Sequence, residues 1–374
     1  MNKIIIKEVN TKADLKNFIT FPNRLYRNNP CYVPPLITEE MAIFDENKNP
    51  VFEFSICKKY LAYKKNEVVG RIALIINKNE EKYSGIKKVR FGWFDVIDDI
   101  EITRKLIDKA YEMAKENDIH RIEGPVGFTN LDKAGFLSKG YNKLATMIGI
   151  YNEPYYHDHF EKLGFNKSNE WVEFYIEVVK VLPDKVIRFS KLLKEKYKLK
   201  SLQFKTKDEL IERSDEIFQL LEDTYKVLPT YVPFSDKQIK YYKEKYIPFI
   251  NKDFVICITD NNDKLVGFAI TMPSYSIALQ KAKGKLFPFG WYHLLRASKN
   301  NDWANFYLIG IHPDYQKKGI TAIVLKEFFD LFNNKGIKYL ETNPELDDNK
   351  SIQLLWKDYN PINHKRRKTY FKEI

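Results

Sequence analysis

Apolar and polar positions alternate from Lys58 to Ile76 ("KKYLAYKKNEVVGRIALII"), with a polar tip at Lys64 to Glu67. A period of two broken by a short polar stretch predicts a β-hairpin. Before it, "KIIIKEV" reads as a strand and "KADLKNFITFPNRLYR" has helical spacing. "NNPCYVPPL" is a proline-broken loop. After the hairpin, "VRFGWFDVID" is a strand. "EITRKLIDKAYEMAKEND" is an amphipathic helix with Ile102, Leu106, Ala110 and Met113 on one face. "HRIEGPV" is a short strand stopped by Gly124 and Pro125, and "NEPYYHDHFEKLGFNKSNEWVEFYIEV" gives helix, turn at Gly164 and final strand.

The second half repeats this order. "DELIERSDEIFQLLEDTYKVL" is helical, and "KDFVICITDNNDKLVGFAITM" is a hairpin turning at Asn261 to Asp263. "NFYLIGI" is a strand, Thr321 to Asn333 a helix, "GIKYLETN" a strand, "DNKSIQLLWKDY" a helix and "RKTYFKEI" a closing strand. Short stretches echo as well: "VVGRIAL" from Val68 matches "LVGFAIT" from Leu265. The pattern predicts two diverged copies of one α/β (α+β, mixed-sheet) unit, residues 1–180 and 181–374. A helix after Pro183 bridges them.

Composition narrows the class. A chain of 374 residues exceeds one ordinary core. Hydrophobic residues make up 44% and charged residues 30%, as in a folded, water-exposed protein. Three widely separated cysteines (Cys31, Cys57, Cys257) argue against a disulfide framework or a zinc cluster. With no apolar run long enough to cross a bilayer and no signal-like N-terminus, the expectation is a cytoplasmic protein without a membrane partner. The formal charge of +12 fits an anionic cofactor, a nucleic acid or a lysine-rich surface alone.

The chemistry concentrates at "IHPDYQKKGITAIVLKEFF", Ile311 to Phe329. A strand ends in a proline turn, then Gln316, Lys317, Lys318 and Gly319 lead into a helix with Ile320, Val324, Phe328 and Leu331 on its apolar face. A helix start offers unpaired N–H groups and the positive dipole end, and glycine permits close approach of an anion. The stretch is neither a Walker P-loop nor a dinucleotide fingerprint.

This stretch closely resembles the acetyl-CoA signature of the GNAT acetyltransferase superfamily, Gln/Arg-x-x-Gly-x-Gly/Ala, falling on Gln316, Lys317, Lys318, Gly319, Ile320 and Thr321. Thr321 stands where glycine or alanine is usual. The resemblance implies two tandem GNAT-like domains, an arrangement similar to mycothiol synthase and Fem-type transferases. Where the signature would repeat in the first half, "DVIDDIEIT" supplies Asp95, Asp98 and Asp99, which would repel a pyrophosphate. The first domain is therefore expected to be degenerate, with cofactor bound in the second.

The resemblance further implies acetyl transfer from acetyl-CoA to an amine of a small molecule or peptide. The donor arm would run along Ile309, Gly310 and Ile311, where strand "FYLIGI" splays from "KYLETN". Asn349 would hold the pantetheine arm or cap a helix, and Trp356 would pack along the cofactor. Glu341 and Glu345 are the candidate general bases. The family's leaving-group tyrosine is replaced by Trp356, whose indole cannot serve as acid, so Tyr359 becomes the candidate. The alternative is a non-catalytic protein of the same fold that binds CoA or docks RNA such as aminoacyl-tRNA. "HDH" at His157 to His159 is not expected to bind metal, because successive helix residues point apart. "HKRRKTYFKEI" reads as a lysine-guarded edge strand or a phosphate contact, and aromatic residues of "YVPFSDKQIKYYKEKYIPF" as core or cleft lining. The acceptor, acyl length and oligomeric state are not encoded in these motifs.

Overall fold

The computed structural model describes residues 3–228 and 231–374. The strands are β1 Ile4–Glu8, β2 Ser55–Lys64, β3 Glu67–Asn77, β4 Val89–Val96, β5 Arg121–Gly124, β6 Phe136–Lys139, β7 Asn166–Glu177, β8 Lys200–Leu202, β9 Val255–Thr259, β10 Leu265–Pro273, β11 Trp303–Ile311, β12 Tyr339–Thr342, β13 Glu345–Leu346 and β14 Ile362–Glu373. The helices are α1 Lys12–Leu25, α2 Ile37–Ile43, α3 Glu80–Ser84, α4 Ile100–Glu116, α5 Tyr155–Lys162, α6 Asp184–Tyr197, α7 Lys207–Glu212, α8 Ser214–Tyr225, α9 Asp236–Tyr246, α10 Ser276–Ala282, α11 Gly290–Lys299, α12 Thr321–Lys335 and α13 Lys350–Gln353.

One mixed sheet runs through the molecule in the order β1-β2-β3-β4-β5-β14-β7-β12-β11-β10-β9-β8, with β6 added to β14 and β13 to β7. The repeated order is β2-β3-β4-α4-β5-α5-β7 and then β9-β10-β11-α12-β12-α13-β14. In each copy the third strand pairs in parallel with the fourth, β4 with β5 and β11 with β12. The closing strands are exchanged. β7, from the first copy, pairs with β12 of the second, and β14 inserts between β5 and β7. A cut near residue 180 divides the sequence between β7 and α6, but not the sheet.

This exchange corrects the edge-strand reading of "HKRRKTYFKEI". β14 is interior, and its cations are paired rather than free for phosphate. Lys365 and Arg367 are each 1% exposed. Arg367 Nε donates to Glu173 at 2.5 Å, and Arg366 Nε to Glu170 at 2.8 Å. The helix expected over "DNKSIQLLWKDY" is also shorter: α13 ends at Gln353, and Lys357 to Tyr359 form a separate 3-10 turn.

Each copy has its own core. In the first, Leu106, Ala110 and Met113 of α4 pack on β2 to β5, and Phe91 stacks on Phe160 with centroids 5.1 Å apart. In the second, Val324, Phe328 and Phe332 of α12 pack on β9 to β12. A buried α12 face fixes the helix N-terminus relative to β11.

Candidate active site

β11 and β12 pair from Trp303 with Tyr339 to Phe306 with Thr342, and there the pairing ends. β11 continues to Ile311 against β10 alone, while the chain beyond β12 turns off to pair β13 with β7. The strands thus part, as the resemblance implied. A register shift beside the opening pairs Ile270 with Leu308 and Thr271 with Phe306, leaving Tyr307 as a bulged residue. His312 N–H donates back to Val266 of β10 at 2.9 Å. By alternation along a strand, the N–H groups of Ile309 and Ile311 face the opening. Gly310 instead packs toward β10, where an added Cβ would lie 2.4 Å from Phe268 Cε1.

The opening leads to the mouth of α12. Gln316 Nε2 donates to Ile311 O at 3.1 Å and ties the loop to the strand end. Lys317 is exposed with φ +62°, and Lys318 Nζ lies 4.7 Å from the Tyr315 ring centroid and 5.4 Å from that of Tyr197. Gly319 has φ +80° and Ile320 is in the right-handed helical region, a pairing that forms an anion-binding nest. Among the described residues, the N–H groups of Gly319, Ile320 and Thr321 have no hydrogen-bond acceptor. The glycine has a second cause: an added Cβ would lie 3.0 Å from Phe189 Cε1 of α6. Gly319 is therefore not an open surface position, and a bulky replacement would strain the backbone and press on α6 as well as exclude an anion.

The first copy's corresponding mouth already holds an anion of its own. The Asp99 side chain caps α4, accepting from Glu101 N–H at 3.1 Å, and pairs with Lys64 at 2.9 Å. Asp95 is buried against Arg71 and Tyr26. His157 and His159 serve local packing: the first contacts Tyr370 and Leu137, the second Thr103 and Asp98.

The two candidate carboxylates part company. Glu341 is buried beside His364 and in direct contact with the Lys365 ammonium. Burial would raise its carboxyl, but the Lys365 charge and then His364 prevail and hold it below the usual carboxylate range. Glu345 lies past the point where the strands part. Its Oε1 accepts from Trp356 Nε1 at 2.7 Å, and Oε2 is buried without a partner among the described residues. Burial pushes this carboxyl up to about 8, only partly offset by the indole hydrogen bond. An ionised Glu345 would thus be a base poised near neutral pH.

Trp356 is fully buried, edge-on to Phe306 at 5.1 Å, so it reaches the site through Glu345 rather than along a cofactor surface. Asn349 caps α13, accepting from Ile352 N–H at 3.4 Å. Tyr359 stacks on Phe329 of α12 with centroids 4.4 Å apart, and burial pushes its phenol up to about 12.

Two tyrosines not singled out from sequence border the opening. Burial pushes the Tyr225 phenol up to about 12; a backbone hydrogen bond from Ile309 opposes this, and the Glu345 charge adds to it. Tyr225 ends α8 and so connects the splayed strand with the candidate base. Tyr307, the bulged residue, has a buried hydroxyl without a partner among the described residues, raised first by burial and then by Tyr275 and Glu341. Asn305, Asn343 and Asn363, from the neighbouring strands, also carry buried polar atoms without a partner among the described residues. Such atoms are costly unless something fills their hydrogen bonds, and their concentration here marks a polar interior suited to a substrate.

Residues 214–357 match the acetyltransferase (GNAT) family. Over its length the chain is similar to Protein YghO of Escherichia coli strain K12, 24% identical over 99% of this chain and 95% of that protein. It is also similar to the bacterial ceramide synthase of Caulobacter vibrioides, 22% identical over 98% of this chain and 96% of that protein. Among solved structures, a tandem GNAT protein from the clavulanic acid biosynthesis pathway superposes with TM-score 0.58 and 11% identity, covering 99% of this chain and 98% of that one. That likeness concerns the fold. Residues 214–357 thus form a domain of the acetyltransferase (GNAT) family, within a chain that has the tandem GNAT fold throughout.

Proposed function

We propose that the protein is an acyl-CoA-dependent N-acyltransferase, with one donor site in the second half and an amine as acceptor. The observation that carries this reading is the alignment of three features along one opening: the unpaired N–H groups of Gly319 to Thr321, the Ile311 N–H, and the buried Glu345, whose ionised form is a base poised near neutral pH. Acyl-CoA supplies an activated thioester carbonyl and a pyrophosphate. The nest at Gly319, with Lys317 beside it, binds phosphate; the Ile311 N–H donates toward the carbonyl oxygen as negative charge develops there. Glu345 Oε2 accepts the proton of the ammonium nucleophile, directly or through water, and Trp356 fixes the other carboxylate oxygen. Glu341 holds Lys365 and so ties β12 to β14 across the intervening β7.

For the leaving thiolate, Tyr225 is placed better than Tyr359. It interacts with the splayed strand and senses Glu345, whereas Tyr359 is stacked in the α12 core. The acetyl group is the donor implied by the Gln316 to Thr321 motif. The relative named a ceramide synthase makes a longer acyl group the second arm of the test. Calorimetry with acetyl-CoA, palmitoyl-CoA and free CoA should give one site per chain for at least one thioester. Release of free thiol with a panel of amines then reads turnover. Absence of CoA binding in any form would refute the assignment, and binding without thiol release would favour the non-catalytic alternative.

A further inference from the structure

The segment between β10 and β11 forms two helices that interrupt the repeated order. Pro273 to Asn300 contains Lys281, Lys283, Lys285, Arg296 and Lys299 and neither Asp nor Glu. It folds as a helical hairpin, α10 and α11, whose inner side is anchored on the first copy. Gln280 Nε2 donates to Pro30 O at 2.7 Å and Tyr32 O at 2.9 Å, and Leu279 is buried with Tyr26 and Val33.

The outer side carries a different residue set. Phe287 is 77% exposed and Phe289 69%, both in the connection between the helices; Ile277, Trp291, Tyr292 and Leu295 are each at least 48% exposed. In α11 only Gly290 is buried. Exposed large apolar groups on one hairpin are not explained by core packing. None of the five cations is in an ion pair among the described residues. The interior of the fold therefore accounts for neither the aromatic groups nor the charges.

We infer that this hairpin docks on an anionic lipid surface. Both halves of the surface match the two physical requirements of that partner. Phe, Trp and Tyr side chains insert at the depth of headgroups and upper acyl chains. Basic residues beside them are drawn to anionic headgroups, each contributing about a fivefold gain in affinity (roughly 1 kcal/mol). A second copy of this chain would bring the same five positive charges against one another. No helix among the described residues is long and apolar enough to cross a membrane, so the mode is interfacial.

The test uses the full chain and vesicles of phosphatidylcholine with or without phosphatidylglycerol, read by co-sedimentation. Binding to the anionic vesicles and weakening by salt are expected. The double variant Phe287→Ser/Phe289→Ser should lose at least tenfold in affinity with an unchanged thermal midpoint, because both rings are exposed. The triple variant Lys281→Glu/Lys283→Glu/Lys285→Glu should lose binding to anionic vesicles. Equal sedimentation with and without phosphatidylglycerol, or parental binding by either variant, would overturn the inference. So would concentration-dependent self-association of the parent that the Phe287→Ser/Phe289→Ser variant abolishes, since that would give the face to a second copy.

Discussion

Replacing Glu345 by Gln tests the base assignment and its physical cause together. The carboxyl has an ordinary value of 4.5 and is pushed by burial to about 8. The folded protein then keeps a proton that the unfolded chain releases on passing its own, lower value. Folding stability should therefore be highest below pH 4.5, fall as pH rises between 4.5 and 8, and level off above that. At about 1.4 kcal/mol per pH unit, the full loss across the window is roughly 4 to 5 kcal/mol. Glutamine is nearly isosteric, keeps an oxygen for the Trp356 indole and cannot ionise. Glu345→Gln should thus match the parent at pH 5 to within about 1 kcal/mol, yet exceed it by roughly 3 to 4 kcal/mol at pH 9. Urea unfolding at the two pH values measures this. The same variant should reduce thiol release about 100-fold or more, and the parental rate should climb with pH to a plateau above about 8. A variant less stable than the parent at both pH values would show that the Glu345 environment is not desolvating. A flat parental pH–rate profile with full activity in the variant would remove Glu345 from the chemistry.

Other consequences are equally concrete. Gly319→Ala should cost about 1 to 3 kcal/mol of stability because of its positive φ and weaken CoA binding; unchanged calorimetric affinity in the folded variant would count against the nest. CoA should bind once per chain, since Asp99 already occupies the first copy's helix mouth, and two equivalent sites would contradict this. Tyr225→Phe should slow turnover with near-parental CoA affinity, whereas Tyr359→Phe should leave the rate intact; the reverse pattern would restore Tyr359 as the acid. Arg367→Ala leaves Glu173 buried and uncompensated, so denaturant unfolding should show a loss of about 3 to 5 kcal/mol; a loss under 1 would mean water reaches that pair.

What the sequence made legible is what its local physics determines. The hairpin tips at Lys64 to Glu67 and Asn261 to Asp263, the apolar face of α4 and the glycine turn before α12 depend on residues close along the chain, and all appear where periodicity and turn chemistry put them. The exchange of β7 and β14 left no such mark. Its evidence is the complementarity of Arg367 with Glu173, partners 194 residues apart whose charges read, strand by strand, as ordinary surface. The same nonlocality separated Glu341 from Glu345. Both sit at a strand end in the sequence, and only the arrival of Lys365 from β14 neutralises one and leaves the other desolvated. The α10–α11 hairpin escaped for the opposite reason. Its apolar residues lack the spacing of a buried helix face because most of the large ones lie exposed. A pattern search tuned to cores passes over such a segment, although an acid-free run of aromatics and lysines is itself a signal once the partner sought lies outside the protein.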